Sequence, residues 1–202
     1  FHELAALPSY AQRSEELSGP VDALLNNTGV GHRGAALEKK LVVVKCISDV
    51  NFFPYVGLSR AVLASMIERR TGLIVAVSSV LGILPLPRRA TYCASKHAIE
   101  GYFETLRLEL AGSGVRVAVV RPGWIETKIS ENAVSADGAK HGQPSARAGR
   151  RMSSGDCARR VLLGLSKGRD EILVGGPETW GVLAKRLLPS KLFSWGYAKF
   201  RL

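Results

Sequence analysis

The sequence predicts a doubly wound α/β fold, a parallel sheet with helices on both faces, within one domain-sized chain of 202 residues. Three observations carry the prediction. Short apolar runs rich in Val, Leu and Ile alternate with longer amphipathic stretches, the mark of strand–helix–strand units. Glycine and proline punctuate the boundaries, as at Gly19-Pro20 and Gly112. Asn26, Ser79 and Pro122 each follow an apolar run, at the strand ends where open parallel sheets place their ligands.

The elements read in order as follows. His2 to Leu17 is helical, interrupted near Pro8, and Val21 to Leu25 is a buried strand. Gly29 to Gly34 is a loop. Glu38 to Arg70 is helical, with Pro54 expected to kink it, because proline lacks an N–H and its ring crowds the preceding turn. Leu73 to Ser78 is a strand, Val80 to Arg89 a loop with two prolines, and Ala90 to Ala111 an amphipathic helix closed by Gly112. Val115 to Val120 is a strand. Lys128 to Met152 is polar and irregular, with a short helix near Ile129 to Val134. Ser154 is placed to cap a helix running to Leu165, with Asp156 in its first turn. Glu171 to Val174 is the last strand, and short helices near Glu178 to Leu188 and Lys191 to Lys199 follow. The division expected is residues 1–176 as a sheet-based domain and 177–202 as basic amphipathic helices.

Hydrophobic residues make up 46% of the chain, which suits a packed core and argues against extended disorder. No unbroken apolar run reaches the roughly 18 residues that span a bilayer. Cys46, Cys93 and Cys157 lack metal-ligand spacing and read as isolated thiols in a reducing compartment, with no metal site expected. The net charge is +11, of which residues 140–202 carry +9. No nucleic-acid motif accompanies this excess, so nucleic acid is not an expected partner. The charge reads as a solvated basic face, with contact to an anionic membrane surface as the alternative.

The chemistry concentrates on Ser79, Tyr92 and Lys96. Tyr92 and Lys96 are four apart in a helical run and project from one face. An ammonium beside a phenol favours phenolate and is expected to pull the tyrosine pKa below its ordinary value near 10. Ser79, thirteen residues upstream at a strand end, can hold a carbonyl or alcohol oxygen while the tyrosine exchanges its proton. Ser78 should face the other side of the strand. His97 should point to a different helix face. Cys93 reads as core, and Trp124 as either core or pocket wall.

A serine followed by Tyr-x-x-x-Lys resembles the short-chain dehydrogenase/reductase family. Three further segments extend the resemblance in order: Asn26-Asn27-Thr28-Gly29, with Thr where the family has Ala; Asn51; and Pro122-Gly123-Trp124-Ile125-Glu126-Thr127. The likeness covers Val21 to Thr127 and, more loosely, continues to Gly176. It implies a Rossmann-like domain with Asn51, Ser79, Tyr92 and Lys96 as the catalytic set. It also implies NAD or NADP as cofactor, held by Asn26, Thr28, Gly29, Tyr92, Lys96, Pro122, Gly123, Ile125 and Thr127. The implied activity is hydride transfer between NAD(P) and a carbonyl or secondary alcohol, on the branch near hydroxysteroid dehydrogenases and membrane-associated relatives, with an apolar small-molecule substrate.

The family's opening Thr-Gly-x-x-x-Gly-x-Gly turn, which cradles the cofactor pyrophosphate, is not among these residues. The reading is of a fold lacking its first strands, weakly active or inactive as it stands. The alternative is a catalytically silent interaction protein, because the family's helices matching Val50 to Ile67 and Ala90 to Ala111 often form a dimer interface. A homo-oligomer is expected in either case, in the cytoplasm or facing the cytosol on a membrane.

Overall fold

The computed structural model describes residues 6–135, 138, 139, 142, 151–193 and 196. Four strands, Ala23–Asn26 (β1), Gly72–Val77 (β2), Val115–Pro122 (β3) and Glu171–Val174 (β4), form one sheet in that order. All three pairings are parallel, with Asn26 opposite Ala76, Val77 opposite Val120 and Pro122 opposite Val174. The register brings the carboxyl ends of the strands to one edge. The helices are Leu7–Ser18 (α1), Leu41–Asn51 (α2), Phe53–Glu68 (α3), Ala90–Glu109 (α4), Ser154–Ser166 (α5) and Thr179–Leu187 (α6).

Strand side chains alternate between faces, and the two faces bury against different helices. Ile74, Ala76, Val117 and Val119 pack on Tyr55, Met66, Ile99 and Phe103 from α3 and α4. Val75, Val120, Ile172 and Val174 pack on Val161 and Leu165 from α5. This is the Rossmann-like, doubly wound arrangement expected, and β3, covered on both faces, is apolar almost throughout.

Several boundaries differ from the sequence reading, each for a local reason. Pro8 does not interrupt α1; it lies in the first turn, where a missing N–H costs nothing. The segment Val21 to Leu25 is not fully buried: β1 is an edge strand of the described sheet, and Ala23 and Leu25 are exposed. The kink expected from Pro54 falls at Phe52, whose backbone (φ −122°, ψ −58°) separates α2 from α3. Ile129 to Val134 forms turns rather than a helix, closed by Asn132 N–H donating to Lys128 O. Ser153, not Ser154, caps α5: its hydroxyl accepts from Asp156 N–H at 3.0 Å. The helix expected over Lys191 to Lys199 lies mostly outside the described residues; 190–193 are helical.

The stretch Leu41–Glu68 is long and apolar enough to cross a membrane by length and composition. It breaks at Phe52, and the buried polar atoms of Asn51, Tyr55 and Ser59, all hydrogen-bonded to the β1 and β2 ends or to α4, tie one side of it to the sheet.

Candidate active site

β2 ends at Val77, and the next residue, Ser78, donates to Lys96 O at 3.3 Å; both Ser78 and Ser79 border the cavity. Ser79 is extended and caps the short turn Val80–Gly82, accepting from Leu81 N–H at 3.2 Å. Its hydroxyl also approaches Pro122 O at 3.5 Å, and Ser79 lines the same cavity as Tyr92. Tyr92 and Lys96 come from the first turns of α4, and both are buried. The three residues picked out by spacing therefore converge at the carboxyl ends of β2 and β3.

Lys96 Nζ donates to Val77 O at 2.8 Å and lies 6.0 Å from the Tyr92 ring centre and 5.3 Å from that of Tyr55. Burial lowers its pKa to about 8, against the opposing charge of Glu100 one turn further along. The expectation that Lys96 pulls the Tyr92 pKa down is not met. Burial raises the Tyr92 phenol; the neighbouring Ser79 hydroxyl and then the Arg89 guanidinium oppose the rise. The physical reason is position: the ammonium is spent on a backbone carbonyl and flanks the tyrosine ring. Protonated phenol is thus the form this pocket holds at neutral pH.

Asn51, the last residue of α2, uses its whole amide. Oδ1 accepts from Val30 N–H at 2.8 Å, and Nδ2 donates to Val30 O at 3.0 Å and Ser95 Oγ at 3.1 Å. It ties the loop after the Asn-Asn-Thr-Gly segment to the helix break and to α4. Asn26 donates to Ser59 Oγ at 3.1 Å, bracing β1 against α3. Gly29 faces Asn51 and Lys96, and a Cβ there would sit in ordinary van der Waals contact with both. Thr28 enters through its carbonyl, which accepts from Tyr55 hydroxyl at 2.8 Å; the same hydroxyl lies 3.3 Å from Val77 O. Tyr55 was missed from sequence, although it stands one turn after Asn51 on the same run. Burial raises its pKa well above the ordinary phenol range.

At the end of β3, Trp124 N–H and Gly176 N–H donate to the Glu178 carboxylate at 2.8 and 3.0 Å. That carboxylate lies where any side chain at 123 would go, which explains Gly123. Glu126 N–H donates to Met152 O and Trp124 O accepts from Met152 N–H, so the peptide groups of Ile125 itself point the opposite way. Thr127 Oγ1 is 3.4 Å from Ile129 N. Pro122, Gly123, Ile125 and Thr127 line one cavity of about 370 Å³ with Gly29, Ser79, Tyr92 and Lys96. Leu81, Trp124, Ile129 and Val161 supply apolar wall. Trp124 takes both expected roles, because it also packs on the cluster of Val80, Leu81 and Tyr92 that holds Cys93. His97 is exposed on another face, its Nδ1 2.8 Å from Cys93 O. Asn51 and Asn26 support the cavity rather than line it.

The family model described as short chain dehydrogenase matches residues 2–138. Over 198 residues the chain is 37% identical to dehydrogenase/reductase SDR family member 7B of Xenopus tropicalis, covering 98% of this chain and 64% of that protein. A short chain dehydrogenase from Burkholderia cenocepacia, solved in complex with NADP, superposes with a TM-score of 0.76 at 25% identity, over 97% of this chain and 76% of that one. A short chain dehydrogenase/reductase from Burkholderia phymatum, solved in complex with NAD, gives 0.73 at 26% identity, over 84% and 66%. The chain belongs to the short-chain dehydrogenase/reductase family, a family of oxidoreductases. It spans somewhat less than two thirds of the curated relative's length.

Proposed function

We propose that the polypeptide carrying this chain transfers a hydride between NAD(P) and the carbon of a ketone or secondary alcohol. The observation that carries the reading is that Ser79, Tyr92 and Lys96 line one cavity at the carboxyl ends of β2 and β3. In the reducing direction Tyr92, held protonated by burial, donates its proton to the substrate oxygen that Ser79 orients. Lys96, anchored on Val77 O, holds the ribose beside the tyrosine and passes a proton inward toward the Asn51 end of the cavity. Thr28 and Gly29 border the adenosine side, with Asn26 bracing their strand. Pro122 and Gly123 shape the turn that presents the Ile125 peptide and the Thr127 hydroxyl to the nicotinamide carboxamide. NAD(P), when bound, supplies or accepts the hydride. The apolar wall of Leu81, Trp124, Ile129 and Val161 favours a substrate with an apolar body.

The test is direct. The full-length polypeptide is incubated with 4-deuterated NADH or NADPH and a panel of medium-chain ketones, and deuterium is sought on the carbinol carbon by mass spectrometry. Label there supports the reading. Stoichiometric nucleotide binding with no label in any alcohol product would overturn it. The 202 residues alone contain no glycine turn for the pyrophosphate, so weak nucleotide binding is expected of the isolated chain. The reading includes a homo-oligomer formed through α3 and α4, where Phe53, Ile67 and Leu108 are exposed; sedimentation of the same preparation reads its size.

The reading also includes contact of the carboxyl-terminal segment with a membrane on its cytosolic side. On α6, Trp180, Leu183 and Leu187 are exposed at helical spacing, with Leu188 and Leu192 beyond and Lys185, Arg186 and Lys191 beside them. Phe193 is not part of that surface: it is buried, with Lys185 Nζ 5.0 Å above its ring. Trp195, Lys199 and Arg201 lie outside the described residues. Such an apolar stripe with flanking cations suits an anionic interface. Cosedimentation with phosphatidylserine vesicles is expected at low salt, falling by about tenfold for Trp180→Ser/Leu187→Ser. Equal binding by this variant would exclude α6 as the contact.

A further inference from the structure

We propose that Arg89 binds an anionic group, carboxylate or phosphate, on the substrate. This rests on the hydride-transfer reading of the same cavity and names its substrate class: an apolar carbonyl compound or alcohol with an acidic head. The charged residues that line the cavity are Arg89, Lys96 and Arg151, with no aspartate or glutamate among the described lining residues. Lys96 is already committed to Val77 O. Arg89 is not similarly satisfied. It is half-buried at the start of α4, three residues before Tyr92, and Nη1 donates to His32 O at 2.8 Å. Among the described residues no carboxylate lies within ion-pair distance of it, and no second hydrogen bond engages its guanidinium.

The contrast with the other partly buried arginines of the sheet is plain. Arg121 meets three carboxylates, Arg107 pairs with Glu171, and Arg69 pairs with Asp22. A guanidinium taken partly out of water with no counter-charge is costly unless a ligand supplies one. Its neighbourhood adds to the cost. Arg33 repels Arg89, and Arg33 Nε is itself buried without a partner. Lys39 is close by, its Nζ 3.3 Å from Thr91 Oγ1, and the acidic groups facing it are the Cys93 thiol and Glu38, whose carboxylate also accepts from Ala35 N–H. Burial and Arg33 together bring the Arg89 pKa down to about 10, so the group remains a cation at neutral pH. His32, buried between these cations with neither ring nitrogen partnered, is held neutral, its pKa lowered to about 4 by burial, then Lys39 and Arg89. The mouth beside Tyr92 is therefore uniformly basic, while the wall opposite is apolar. Guanidinium presents paired donors to planar or tetrahedral oxyanions, which suits this task better than ammonium.

The experiment reads binding without turnover. The full-length polypeptide is titrated calorimetrically with octanoate, octyl phosphate and octanol, and then with adenosine 2′,5′-bisphosphate as a competitor. The wild type is expected to bind at least one of the two anions about tenfold or more tightly than octanol, the gain of one charge-assisted contact. Arg89→Met is expected to bring that ratio near one, and Arg89→Lys to retain part of it. Circular dichroism confirms that each variant folds, and the lysine variant carries the test if the methionine variant does not. Which anion binds more tightly separates carboxylate from phosphate as the head. Equal affinity for octanol, no binding of any probe, an unchanged preference in both variants, or displacement of the anion by the bisphosphate would each overturn the proposal. None of these outcomes bears on whether deuteride is transferred, so the two readings fail separately.

Discussion

Tyr92→Phe is expected to cut turnover of the full-length polypeptide about a hundredfold or more, the usual contribution of a positioned acid. The ring that packs on Val80 and Leu81 remains, and only the hydroxyl is lost. Folding should survive, and nucleotide affinity should change little, because the Lys96 anchor on Val77 O does not pass through the tyrosine. The measurement is kcat with a ketone that the wild type reduces, alongside nucleotide Kd. Turnover within threefold of wild type would remove Tyr92 from the chemistry. A parallel fall in nucleotide affinity would instead make it a binding residue.

The largest stability effect is expected at Arg121, which does not line the cavity. Its side chain is 3% exposed and donates to Glu100 at 2.9 Å, Glu104 at 2.7 Å and Glu171 at 2.6 Å. Glu100 is itself almost fully buried, and its Oε1 has no hydrogen-bond partner. Arg121→Met keeps the volume and strands Glu100 as an unpaired buried charge. Losing one partner of such a pair costs about 3–5 kcal/mol, a large share of the roughly 5–15 kcal/mol that holds a domain together. Glu104 and Glu171 are about two-fifths exposed and contribute little to that loss. Urea unfolding should show the fall. The double variant Arg121→Met/Glu100→Leu should recover most of it, because no charge is then stranded. A single-variant loss under about 1 kcal/mol, or no recovery in the double variant, would show that the network is peripheral.

How much was legible in sequence follows from how local each signal is. Ser79, Tyr92 and Lys96 could be read because a strand end and one helical turn determine where they point. The Asn-Asn-Thr-Gly and Pro-Gly segments were legible for the same reason: each terminates a strand. Arg89 escaped notice because its significance is an absence of carboxylates contributed by loops distant in sequence. The Arg121 network escaped because Glu100, Glu104 and Glu171 come from α4 and β4. The tyrosine pKa was misread for a similar reason: sequence shows that a lysine is near, but not that its ammonium is turned to a carbonyl. The α5 cap missed by one residue because two adjacent serines look alike until a backbone conformation selects between them.

The contact between Glu178 and the turn at Trp124 has a consequence for the order of events on the ribosome. The two residues are 54 positions apart, yet the Glu178 carboxylate binds Trp124 N–H at 2.8 Å and fills the space above Gly123. Chains emerge amino end first at roughly 5–20 residues per second. β1 to β3, with Ser79, Tyr92 and Lys96, are therefore synthesised some seconds before the residue that locks the remaining wall. During that interval the turn at Trp124 lacks its carboxylate partner, which arrives with the start of α6.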